Sequence, residues 1–168
     1  MTGSAPTKVT SLASRIPASA EFKELFREGM ALVEETAVYL DGLGRQECKR
    51  LIGAHAMAYR SESMNLTSVL MQMAGWLLLY RSVGEGSVAL AEANQRKSVI
   101  KFSPTIKLGD DPDIKLPDRL RELIARKDSL LLEIMRLDVQ LNSDASNPPT
   151  VNNPLEMLAR LKEEFKEE

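Results

Sequence analysis

Cysteine and histidine each occur once in the 168 residues, as Cys48 and His55. A lone cysteine excludes an intrachain disulfide and fits a reducing cytoplasm. Cys48, His55 and Glu62 fall on one line of an expected helix, but successive members are about 10 Å apart by helix rise. Ligands that must each lie about 2 Å from one ion cannot be spread so widely, so no metal site is expected. The same separation keeps Cys48 and His55 from acting on one another as nucleophile and base. Glu34 and Glu35 are adjacent and diverge on a helix, so they supply no converging carboxylate pair. No glycine-rich phosphate loop is present, since Gly84-Glu85-Gly86 is too short for one. Catalytic residues and cofactor are therefore both expected to be none. A basic patch is missing too: net charge is −2, with both signs interspersed, which argues against nucleic acid as partner. The N-terminus lacks the apolar run of a signal peptide. The most apolar segment, LMQMAGWLLLY, covers about eleven residues where a membrane span needs about twenty. The expectation is a soluble cytoplasmic protein.

What the sequence does contain is helical periodicity. Residues 44–83 hold no proline. Ile52, Tyr59, Leu66, Met73 and Tyr80 recur every seven residues, with His55, Glu62, Val69 and Trp76 three positions after the first four. Leu70 and Leu77 widen that stripe. One helix of about forty residues, roughly 60 Å long, is expected there. A shorter helix precedes it at about 20–40, with Ser19 as N-cap and Glu21 in its first turn. Phe22, Leu25, Phe26, Gly29, Leu32, Val33, Thr36, Ala37 and Leu40 mark its apolar face. Asp41, Gly42, Leu43 and Gly44 supply a tight reversal, so the two helices should run antiparallel. A third helix is expected at 117–141 with Pro117 at its start. Leu120, Leu123, Lys127, Leu130, Ile134, Leu137 and Leu141 form its seam, widened by Ile124 and Leu131. The direction of this helix stays open, because a connection of about thirty residues permits both.

The fold class expected is all-α: an antiparallel three-helix bundle with one very long central helix and flexible N- and C-terminal tails. Residues 1–18 form the N-terminal tail and 19–141 the bundle, with a loop at 84–116 that holds a short helix near 88–95. Residues 142–168 form a flexible linker and a short amphipathic tail through Leu155, Leu158, Leu161 and Phe165. That tail is either a frayed end or a tethered docking peptide.

Two sets of residues stand out. The short first helix should line the long helix only as far as about Met64. Val69, Leu70, Met73, Trp76, Leu77 and Tyr80 then need other cover, from the rest of one bundle or from a second chain. The length mismatch favours a dimer or partner interface. Glu62 and Lys127 are polar residues on apolar stripes: they either pair and fix helix register or lie at the stripe edges and reach water. A further alternative is a ligand-sensing pocket lined by Met57, Met64, Met71, Met73 and Trp76.

Beyond periodicity, LFREGMALVEETAVYLDGLGR followed by AYRSESMNLTSVLMQMAGWLLLYRSVGEG resembles the regulator of CtrA degradation (RcdA) family. The likeness spans about 22–86 and weakens in LPDRLRELIARKDSLLLEIMRLD. The resemblance implies a dimeric, non-enzymatic three-helix-bundle adaptor that helps the ClpXP protease degrade the cell-cycle regulator CtrA and other cargo. It also implies work alongside a response regulator that primes the protease and a cyclic-di-GMP-binding adaptor, and concentration at the cell pole. A dimeric scaffold with no role in proteolysis is the alternative.

Overall fold

The computed structural model describes residues 15–97, 100, 102 and 113–143. Residues 1–14 of the expected 1–18 tail, residues 144–168 of the expected 142–168 tail, and most of the expected loop between 98 and 112 lie outside the described residues. Among the described residues, a 3-10 turn at Ile16–Ala18 leads into five helices: α1 (Ala20–Asp41), α2 (Leu43–Arg50), α3 (Gly53–Gly84), α4 (Leu90–Lys97) and α5 (Asp118–Ser143).

Helix α1 begins where Ser19, in extended conformation, accepts the Phe22 amide on its hydroxyl at 3.1 Å. This satisfies one of the amides that every helix N-terminus leaves open. Its buried row, Phe22, Leu25, Gly29, Leu32, Thr36 and Tyr39, steps by three and four. Gly42 alone separates α1 from α2, with its amide bonded to the Val38 carbonyl at 3.0 Å.

The forty-residue helix is two helices. Leu51 and Ile52 are extended, and Gly53 has φ +57°, a left-handed value that favours glycine. Proline was therefore not needed to break the chain here. Lys49 and Arg50 occupy the last turn of α2, where the helix dipole favours positive charge. Ile52, expected on the core stripe, sits at the break and is 80% exposed.

This break resets the register between α1 and α3. Tyr39 lies near Tyr59 at one end. Leu77 packs over Gly29, the Phe22 ring meets Trp76 at 6.1 Å, and Gly84 backs onto Pro17 at the other. The two helices are antiparallel. The 22 residues of α1, about 33 Å long, thus face α3 from Tyr59 to its end. The expectation that α1 lines the long helix only as far as about Met64 is overturned, because α2 turns aside and lets α3 slide back along α1.

Helix α5 runs antiparallel to α1: Arg119 and Arg126 reach Glu35, and Arg136 reaches Glu21. It is parallel to α3, with the Lys115 amide on His55 just ahead of α5 and Asp138 on Trp76 near its end. Its seam is buried at Leu120, Leu123, Lys127, Leu130, Ile134, Leu137 and Leu141. Helix α4 packs on α3 and buries Ala93. No helix among the described residues is long and apolar enough to cross a membrane.

Candidate interaction surfaces

The six residues expected at an interface are core residues. Val69, Leu70, Met73, Trp76, Leu77 and Tyr80 are 0–3% exposed within the single chain. The Trp76 indole N–H donates to Asp138 Oδ1 at 2.8 Å, and the Tyr80 hydroxyl donates to Asn94 Oδ1 at 2.7 Å. The two rings pack against each other at a 44° tilt, with centroids 4.6 Å apart. Asp138 also takes Lys97 Nζ at 2.8 and 2.9 Å, so one carboxylate ties α3, α4 and α5 together. Burial holds the Tyr80 phenol above its ordinary pKa, and the nearby Asp138 charge adds to this. The surplus apolar surface of the distal half is therefore sealed by α1, α4, α5 and the 3-10 turn, and it leaves no interface at these positions.

Glu62 and Lys127 do not pair. Lys127 is 1% exposed, and its Nζ meets Asp128 Oδ1 at 2.6 Å, beside it in sequence and at the helix surface. The whole side chain, charged end included, is buried in the seam, and Asp128 is the carboxylate that offsets its charge. Among the described residues, Glu62 forms no ion pair with Lys127, and it is only half-buried. The register pair is thus replaced by Glu35, which holds Arg126 at 2.6 Å and also Arg119. Hydrogen bonding from Arg126, outweighing partial desolvation, lowers the Glu35 pKa. Cys48 and His55, expected on one helix, lie on α2 and α3 across the break. Among the described residues no three potential ligands cluster for a metal.

The ligand-sensing pocket is also overturned. Met73 is buried beside Trp76, but Met57, Met64 and Met71 are 66–71% exposed. With Leu78 they form a second heptad row on the opposite side of α3 from the core row. Two apolar rows on opposite faces explain why LMQMAGWLLLY reads as apolar nearly all round. Small side chains at Ser61, Ser68, Gly75 and Ser82 flank the outward row. Helix α5 carries a separate outward set, Leu132, Met135 and Val139. Scattered apolar residues on a surface need no explanation, but a regular row about 31 Å long is a feature of contact surfaces.

Beside that row lies a groove of about 680 Å³ where α1, α2 and α3 meet. Leu40, Cys48, Tyr59 and Met64 give it apolar walls, and Arg45, Lys49 and Arg60 give it a basic rim. Its base is a tyrosine pair. The Tyr39 hydroxyl donates to Glu47 Oε2 at 2.6 Å. The buried Tyr59 hydroxyl lies near Tyr39 and Ser63 without a well-formed hydrogen bond among the described residues. Burial raises both phenols, and at Tyr39 the bond to Glu47 adds to it. Gly44 makes the arrangement possible, since a Cβ there would stand 2.6 Å from the Tyr59 oxygen. Tyr39 and Glu47 were not singled out by sequence; their meeting depends on the turn at Gly42.

Comparison with known proteins agrees with this architecture. A family model described as a protein of unknown function, DUF1465, matches residues 13–165. No curated protein matches the chain. The crystal structure of RcdA from Caulobacter crescentus CB15 is similar, with 37% identity and a TM-score of 0.60 over 73% of this chain and 92% of that one. A match across nearly the whole chain, together with a solved relative covered almost end to end, places it in one family: the chain belongs to the DUF1465 family of RcdA-like, all-helical proteins.

Proposed function

We propose that the protein is a non-enzymatic adaptor in regulated proteolysis, promoting degradation of CtrA and other cargo by the ClpXP protease. The similarity to RcdA over 92% of that chain is the observation that carries this. The working partners are the protease with its priming response regulator, a cyclic-di-GMP-binding adaptor, and cargo, with concentration at the cell pole and a homodimeric state. The chemistry asked of such a protein is to hold cargo beside a protease, which replaces a bimolecular encounter by a near-unimolecular one. Rigid surfaces serve that purpose. The outward row Met57, Met71 and Leu78 is the surface this chain offers for it, since the residues first expected to do so are buried.

The test is a reconstituted degradation reaction with protease, priming regulator, cyclic-di-GMP-binding adaptor and CtrA. Adding the protein should shorten the CtrA half-life while leaving ATP hydrolysis by the protease nearly unchanged. Met57→Glu with Met71→Glu, both at exposed positions, should abolish the acceleration without lowering thermal stability. An unchanged half-life with every partner present would refute the adaptor role, and full activity of the double variant would move the contact surface elsewhere.

A further inference from the structure

The groove at the α1–α2–α3 junction has a chemistry that selects its occupant. Its walls are apolar at Leu40, Cys48, Tyr59 and Met64, and its rim is basic at Arg45, Lys49 and Arg60, with no acid in the lining among the described residues. Asp41 approaches Arg45 only to 3.8 Å, and both side chains are largely exposed. At its floor the hydroxyls of Tyr59 and Ser63 have no hydrogen-bond partner among the described residues. An apolar trough with cationic edges suits an amphipathic helix that carries acids beside its apolar side chains.

The chain's own sequence contains such a segment. The spacing of Leu155, Leu158, Leu161 and Phe165 is that of one face of a helix, and the last six residues hold four glutamates against one lysine. We propose that this C-terminal segment docks, as a helix, into the groove of its own chain. The tether permits it. Eleven residues, 144–154, separate the end of α5 from Leu155, and fully extended they reach about 36–40 Å. Helix α5 ends about one turn beyond Asp138, which is level with Trp76. The near end of the groove, at Ser68, is about 12 Å from Trp76 along α3. Adding one or two interhelical spacings of about 10 Å keeps the path within reach. Because the segment is attached, weak contacts suffice: the tether supplies an effective concentration of the order of mM. In the docked arrangement the segment lies over Met64 and Cys48, both of which line the groove. This inference does not depend on the adaptor role.

Cys48, half-buried and lining the groove, is the sole native thiol and serves as the reporter. In the full chain at low concentration, Leu161→Cys should form an intrachain disulfide with Cys48 on mild oxidation. Asn152→Cys, in the tether, should do so about tenfold more slowly, since docking adds to mere tethering. Equal rates for the two variants, or free thiols in both, would overturn the proposal. A disulfide-linked dimer would overturn it too, because the segment would then sit on a second copy. A second measurement needs no new thiol: alkylation of Cys48 should be several-fold faster in Leu158→Asp/Phe165→Asp than in the native chain. Equal alkylation rates would count against docking even if every variant folds.

Discussion

Asp138 joins three helices, and removing it should be among the most damaging single changes on the polar side of the core. In Asp138→Ala the Trp76 indole N–H loses its acceptor while Trp76 stays 0% exposed. Stranding a buried donor costs about 1–3 kcal/mol. Lys97 loses both of its close contacts to the same carboxylate. Its side chain and that of Asp138 are 18% and 22% exposed, so the pair lies between a surface and a buried ion pair. About 1 kcal/mol is a fair share for it. The sum is about 2–4 kcal/mol, which in a domain of this size lowers Tm by roughly 5–15 °C. Asp138→Asn keeps an acceptor for the indole and gives up the charge, so its loss should be smaller. Urea unfolding gives the free energies. A cycle of Asp138→Ala with Trp76→Phe should show coupling of about 1 kcal/mol or more, because the two changes remove one bond. Loss under about 0.5 kcal/mol in Asp138→Ala, the range of an ordinary surface substitution, would refute the claim that this carboxylate fastens α4 and α5 to α3.

Further outcomes follow from the same packing. Gly44→Ala should destabilise by about 1–3 kcal/mol, since its Cβ would meet the Tyr39 carbonyl at 2.9 Å as well as the Tyr59 hydroxyl. Tyr59→Phe should recover part of that loss in urea melts, and a neutral Gly44→Ala would disprove the close approach. Tyr39, Tyr59 and Tyr80 all have raised pKa values, so the folded chain keeps protons that the unfolded chain releases above about pH 10. Stability should therefore hold up to that pH and fall as pH rises beyond it; equal urea midpoints at pH 8 and pH 11 would refute this. Lys127→Leu should be neutral or stabilising, as replacement of a buried charge by an apolar side chain often is. A thermal melt several degrees lower would show that the contact to Asp128 matters more than its exposure suggests.

Periodicity located the helices because burial selects one face of each, and the spacing of buried side chains survives in the sequence. The rows at Phe22–Leu25–Leu32 and Leu120–Leu123–Leu130–Ile134 are buried as their spacing required. The family was legible for a different reason, in long collinear segments rather than in any short motif. The break at Leu51 and Ile52 was not legible. The apolar heptad continues across it, and Gly53 looks like any glycine tolerated in a helix until its φ is known.

From that one missed break came the misplaced interface. A continuous rod would leave Trp76 and Tyr80 beyond the reach of α1, whereas the broken one slides back and buries them. The candidate groove was equally hidden, since Leu40, Cys48 and Tyr59 belong to three helices whose meeting depends on the turns at Gly42 and Gly53. By itself the sequence determined which segments are helical, apart from the break at Leu51 and Ile52, and that α3 has apolar side chains on nearly every side, since both follow from local spacing. Only the tertiary structure decided what covers the core row beyond Met64: helices of the same chain, not a second chain. That choice is set by the register of α1 against α3, a long-range property that no local pattern encodes.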